Sequence, residues 1–351
     1  MRRDSFGNTL AATATETVAA IDDFALGLLG YDKRIVNILG AADRDPDCLA
    51  NAYAGLLWML LETGAVPEDA RRYLRRAQDA SDGAGDRERA AVSVLRHWIV
   101  DDQPGSMAII EEILAAHPRD LVMLKLHQYH GFNSGDFPAM LRMALASLAA
   151  APEIGFVHGM AAFGYEQCHL LEHTEGKART ALALGHDPWA QHALAHVMPT
   201  QGRIEEGARF LESMRDGWSD LTSFMYTHQW WHLALFYLSQ GRNDEALSAC
   251  DDHCWSMQRD FSQDQIGAVS LLTRFEFAGL DVGERWHDVG SYLAARAGDV
   301  TNPFLSLQYL YGLARAGRPE VARLLQAIRD AAGVGDPSRS AVWHEVALPV
   351  A

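Results

Sequence analysis

Cysteine is scarce in this sequence, with four in 351 residues: Cys48, Cys168, Cys250 and Cys254. So few, without regular spacing, exclude a disulfide framework. Cys250 and Cys254 fall on one helix face, but a lone C-x-x-x-C is a weak metal signal, and all four are expected as buried thiols. Long apolar runs are also missing. Stretches such as Tyr53 to Leu61 fall far short of the roughly 20 residues that a bilayer crossing needs. The opening Met1-Arg2-Arg3-Asp4 leads into a polar segment and not an apolar signal core, so a cytoplasmic location is expected. Positive charge is in deficit: 30 Lys and Arg stand against 46 Asp and Glu, a formal net charge of −16. A surface of that sign repels phosphate backbones and anionic lipid, so neither nucleic acid nor a membrane surface is expected as a partner. There is no phosphate-binding glycine loop, no G-x-S-x-G elbow and no paired-cysteine zinc motif. His344-Glu345 lacks the second histidine of H-E-x-x-H.

Alternating β-branched runs are absent too. Ala, Leu, Glu and Arg fill segments with helical spacing instead. Breakers separate those segments at Thr63-Gly64, His117-Pro118, Ala151-Pro152, Asp187-Pro188 and Gly241. Gln201-Gly202-Arg203 recurs as Gln240-Gly241-Arg242, and Gly279 and Gly317 continue the series. Positions 202, 241, 279 and 317 differ by 39, 38 and 38. A small residue follows five later at Gly207, Ala246 and Ala322. Upstream, Gly64 and Gly135 lie about two periods apart, as do Gly135 and Gly202. Glycine ending one helix, and a small residue where the next packs closely, describe helix–turn–helix units that bury their apolar faces by stacking. The expected fold is all-α: a tetratricopeptide-like helical-repeat solenoid, an α-α superhelix. It forms one domain over residues 1–351 with roughly eight units. The polar stretch Asp79 to Asp86 reads as a loop too short to be a linker.

Two histidine pairs stand out. Asp187 and Pro188 are helix-start signals, so His192 and His196 lie four apart on one helix face. One repeat later, His228-Gln229-Trp230-Trp231-His232 has the same spacing. Both pairs fall on the first helix of consecutive units, and Glu166 falls on the first helix of the unit before. First helices of such repeats line the concave face, where two i, i+4 pairs could converge. The four imidazoles are therefore candidate metal ligands, or acid–base groups, since histidine titrates near neutrality. The pattern allows a divalent metal, zinc or iron. Glu166 is the candidate to orient an imidazole or accept a proton. Trp189, Trp230 and Trp231 are expected to wall an aromatic substrate pocket. The alternative is that these histidines only stack on the tryptophans. His127 and His130 read as surface or core-edge residues, and Asp251 and His253 as capping groups, with support of His232 from behind as the alternative.

The residues from Asp187 to Leu247 resemble the tetratricopeptide repeat protein 38 family: Trp189, His192, His196, His228-Gln-Trp-Trp-His232 with Ala234-Leu235, and Glu245-Ala246-Leu247. The likeness extends through Asp251, His253, Arg274 and Gly283-Glu-Arg-Trp286-His-Asp288-Val289, and back to His117-Pro118-Arg-Asp120 and Arg87-Glu88. The resemblance implies a helical-repeat fold and brings no settled activity. This chain departs from the family pattern at Ala91 and Gln128, where histidine is usual, at Pro199 in place of a glutamate, and at Gly267 in place of an aspartate. Pro199 should end or bend the helix just beyond His196. The family usually continues for several helices beyond Leu348-Pro349, whereas this chain stops at Ala351.

Two functions follow from different classes. The first, preferred, is a metal- or cofactor-dependent enzyme or small-molecule binder with a His-rich site on the concave face. The second is a scaffold holding a peptide or protein partner in the concave groove. Either is compatible with a homo-oligomer.

Overall fold

The computed structural model describes residues 2–63, 67–333 and 341–351, so Gly64, one of the expected helix-ending glycines, lies outside the described residues. The fold is all-α and of the tetratricopeptide-like helical-repeat class. Among the described residues the sheet is limited to a hairpin pairing Arg2–Arg3 with Thr9–Leu10. The chain divides into two compact units. Unit 1 comprises Met1–Leu60, Val66–Gly207 and Asp220–Thr222, and unit 2 comprises Leu61–Ala65, Ala208–Ser219 and Ser223–Ala351. The division runs through a helix and not through any linker-like segment, so composition gives no sign of it.

Unit 1 contains α1 (Thr15–Gly30), α2 (Asn37–Arg44), α3 (Cys48–Met59), α4 (Glu68–Asp79), α5 (Asp86–Ile99) and α6 (Gln103–Ala116). It continues with α7 (Leu121–Ser134), α8 (Phe137–Ala150), α9 (Gly155–Gln167), α10 (Leu171–Leu184) and α11 (Pro188–Thr200). Helices α1 to α10 pack as five successive pairs. First helices also touch one another: α3 meets α5, α7 meets α9, and α9 meets α11. Helix α12 (Ile204–Met214) is the one the division crosses. Unit 2 contains α13 (Ser223–Ser239), α14 (Asn243–Ala249), α15 (Ser262–Phe277), α16 (Arg285–Leu293), α17 (Pro303–Arg315) and α18 (Val321–Gly333). These form three pairs, with α13 against α15 and α15 against α17.

The glycine period has a backbone cause. Gly135, Gly202, Gly241, Gly279 and Gly317 all adopt positive φ, between 64° and 81°, just beyond the end of a first helix. The residue after each donates its N–H to a carbonyl five back, as in Arg203 to Met198 (2.8 Å) and Arg242 to Tyr237 (2.9 Å). This satisfies carbonyls that the helix end would otherwise strand. The same left-handed position is filled by Tyr31, Glu62, Asp101 and His169, the non-glycine residues with positive φ among the described residues. In order, the nine positions 31, 62, 101, 135, 169, 202, 241, 279 and 317 are 31 to 39 residues apart. The repeat therefore extends into unit 1 at sites where glycine does not mark it. After Gly202 and Gly241, the next arginine pairs with a glutamate three residues on, Arg203 with Glu206 and Arg242 with Glu245.

Burial of the cysteines agrees with their scarcity. Cys48, Cys250 and Cys254 are buried and Cys168 is half-buried, all as free thiols. Cys250 and Cys254 sit on a π-helical turn that continues α14. Burial pushes the Cys250 thiol up to about 12, which keeps it protonated and unreactive at neutral pH. His127 and His130 are not at the surface: they are 0% and 1% exposed. The His130 ring meets the Trp98 ring edge-on at 4.7 Å. Burial pushes its pKa down to about 4, so it is a neutral core residue. Aromatic neighbours and the helix interior made these positions apolar in character, which their spacing alone does not reveal.

Candidate functional site

In unit 1 the site begins at the cap of α11. Asp187 accepts the N–H groups of Trp189 (2.9 Å) and Ala190 (3.1 Å) through Oδ1, and Pro188 occupies the first turn. That start sets the rotation of the helix, and with it the face on which His192 and His196 stand. Their Nε2 atoms are 3.0 Å apart. His196 Nδ1 lies 3.2 Å from Glu166 Oε1 on α9. A carboxylate at that nitrogen draws the imidazole proton to Nδ1 and leaves the Nε2 lone pair facing His192. His192 is buried, and its ring stacks on Trp189 at 4.5 Å and 19°. Phe163 of α9 closes on the same indole at 4.6 Å. Pro199 is accommodated in the last turn of α11, which ends at Thr200.

In unit 2, α13 repeats the arrangement. His228 and His232 place their Nε2 atoms 3.2 Å apart. His228 stacks between Phe224 (5.3 Å, 21°) and Trp231 (5.5 Å, 9°), and His232 meets Trp231 edge-on at 5.0 Å. The Arg274 guanidinium of α15 lies 5.2 Å from the Trp231 ring centre. Trp230, expected in the same aromatic wall, points elsewhere. Its indole stacks on His253 of the π-turn at 3.6 Å and 12° and meets Trp218 at 5.5 Å. One residue along a helix turns a side chain by about 100°, so Trp230 and Trp231 serve different faces. His253 is further held by the Tyr226 hydroxyl, 2.6 Å from Nδ1.

The start of α13 is fixed by a buried carboxyl. Asp264 of α15 accepts from the Ser223 hydroxyl, from Thr227 Oγ1 (3.1 Å) and from the Gln258 N–H (3.1 Å). Burial pushes its pKa up to about 6, from an ordinary 3.8, despite the opposing pull of those bonds. The folded state therefore holds this proton more tightly than the unfolded chain. The stability that this gives is full below about pH 4 and is lost as pH rises through about 6. Asp264→Asn is expected to flatten the decline in urea midpoint across that window. The same decline in the variant would assign it to other groups.

Sequence spacing brought out His192, His196, Glu166 and Trp189, which unit 1 places together, and His228, His232 and Trp231, which unit 2 places together. It missed Phe163, Phe224, Lys125 and Tyr31. Phe224 was within reach, since 224, 228 and 232 recur at four-residue spacing on one helix face. Lys125 and Tyr31 come from distant helices and carry no such signal. Both lie against Trp189, with Lys125 Nζ 3.9 Å from its ring centre and the Tyr31 ring stacked at 5.4 Å.

No protein-family model matches this chain. Among solved structures it is similar to a chain from "Structure of Naa15/Naa10 bound to HypK-THB", at 15% identity and a TM-score of 0.31. The match covers 96% of this chain and 62% of that one. Among the described residues, no helix is long and apolar enough to cross a membrane.

Proposed function

We propose that this protein is a metal- or cofactor-dependent enzyme or small-molecule binder in which a histidine pair, His192 with His196 in unit 1 and His228 with His232 in unit 2, holds a divalent metal, zinc or iron. The observation that carries this reading is the spacing inside each pair. Nε2 atoms 3.0 and 3.2 Å apart subtend about 94° and 103° at an ion about 2.05 Å from each nitrogen. Those angles fall between octahedral and tetrahedral values, so the nitrogen spacing of each pair suits chelation of one ion. A metal held there would polarise a substrate oxygen or acidify a bound water. Glu166 fixes the tautomer of His196, and Trp189 and Trp231 keep water from the imidazoles they flank. The likeness to the tetratricopeptide repeat protein 38 family belongs to the same proposal, with this chain as a divergent member.

Glu166→Gln tests the role of the carboxylate. The substitution preserves shape but removes the charge that holds the Nδ1 proton. Metal affinity, read by competition with a chelating dye, is expected to fall by about 10- to 100-fold. An unchanged affinity would remove Glu166 from the site.

A second reading, a scaffold for a peptide or protein, draws support from an exposed apolar stripe in unit 2. Val342, Val346 and Val350 recur every four residues and are 46%, 53% and 69% exposed. A partner that binds equally well after all four histidines are replaced would favour this reading over the first.

A further inference from the structure

Lys125 is an unusual lysine in this chain. The sequence has three, and the other two, Lys33 and Lys177, are exposed and half-buried. Lys125 lies within α7, is 7% exposed, and forms no ion pair among the described residues. Its Nζ has one hydrogen-bond acceptor, Gln128 Oε1 at 3.0 Å, and that amide is fixed in turn by Met160 O at 3.1 Å. The remaining surroundings are aromatic: the Trp189 ring centre is 3.9 Å from Nζ and that of Tyr31 is 5.0 Å. Asp187 acts on it through space but does not bond to it. Asp187 spends Oδ1 on the cap of α11, while Oδ2 is buried without a hydrogen-bond partner, against Gly159, where a Cβ would collide with it.

We infer that Lys125 is an imine-forming amine that captures small, uncharged aldehydes or ketones, with Asp187 as the neighbouring acid. A lysine becomes nucleophilic when its ammonium is desolvated and no carboxylate is bonded to it. The rings and one amide oxygen are weak substitutes for a hydration shell. Burial accordingly lowers the Lys125 pKa to about 7 and raises that of Asp187 to about 7. In the reaction the Nζ lone pair forms a bond to the carbonyl carbon while the C=O π pair moves to oxygen, which takes a proton. The nitrogen loses its first proton to give a carbinolamine. The hydroxyl takes a second proton from Asp187, the C–O bond breaks as water leaves and the nitrogen lone pair forms C=N, and the nitrogen's second proton returns to the Asp187 carboxylate. No oxidant or reductant is consumed. The low exposure of Lys125 and its aromatic walls select small, neutral carbonyl compounds over anionic ones. The inference is independent of any metal at the histidine pairs.

The test uses the intact wild-type protein, propanal and cyanoborohydride at pH 7, with adducts mapped by peptide mass. Cyanoborohydride reduces any imine to a stable secondary amine on the lysine that formed it. Lys125 is expected to gain the propyl group at least about tenfold faster than Lys33 or Lys177, because a larger share of it is neutral. Pyruvate in a parallel reaction is expected to label it more slowly than propanal. Modification of Lys125 no faster than Lys33, or no adduct on Lys125 at all, overturns the inference and leaves the residue a structural ammonium on aromatic faces.

Discussion

Replacing His192 and His196 together by alanine is expected to weaken divalent-metal binding by at least about a thousandfold. Four-ligand zinc sites in small domains bind with roughly 10–16 kcal/mol, or several kcal/mol for each ligand. Losing both imidazoles of a pair therefore removes more than the roughly 4 kcal/mol that a thousandfold change requires. The other pair predicts the same loss for His228 and His232, because its Nε2 separation is nearly equal. His192 and His232 are buried, so alanine also opens space in each unit. The double His→Gln variants fill most of that space and should show the same loss of metal with helicity retained. Cobalt(II) titration followed by its visible bands reads both affinity and geometry. An affinity within threefold of wild type for either pair would mean that those imidazoles are stacking groups only.

The largest stability effect is expected at Asp120. Its Oδ2 lies 2.8 Å from Arg87 Nη1, with the two side chains 2% and 6% exposed. Its Oδ1 caps α7 by accepting the Met123 N–H at 3.1 Å. Arg87 also donates to Thr9 O at 3.2 Å, and Glu88 accepts from Gly85 N and Ala11 N. One ion pair thus ties α5, α7 and the N-terminal hairpin of unit 1 together. The Asp120 carboxylate holds the Arg87 guanidinium charged against the cost of burial. Asp120→Ala leaves that charge buried and unpaired, a loss of about 3–5 kcal/mol. Hydrogen exchange of α5 and α7 measures this loss within unit 1. Replacing both partners, Arg87→Met with Asp120→Leu, should recover most of it, since no charge then remains to be desolvated. A loss below about 1 kcal/mol for Asp120→Ala would show that the pair is solvated in solution.

These residues also show what the sequence discloses. Arg87-Glu88 and Asp120 carried part of the family resemblance, and in the fold they are architectural. The repeat was legible where glycine occupies the left-handed turn, at Gly202, Gly241, Gly279 and Gly317. It was hidden at Asp101 and His169, where the same backbone conformation is imposed on residues that rarely adopt it. Each histidine pair was legible because i, i+4 spacing on a capped helix fixes a shared face. The carboxylate at His196 was legible through the repeat register. Lys125 and Tyr31 were not, since they reach Trp189 from α7 and from the end of α1, and only packing brings them there. Trp230 and Trp231 are adjacent in sequence yet turned apart by the helix, so composition grouped what geometry separates.

The central claim is tested most directly by metal analysis and X-ray absorption on protein purified without a nickel column, with the quadruple His→Ala variant alongside. The wild type is expected to retain a divalent transition metal through dialysis, with a first shell dominated by imidazole nitrogen near 2.0–2.1 Å, and the variant to retain none while staying helical. Equal metal content in the two proteins, or a shell without imidazole scattering, would contradict the proposed site.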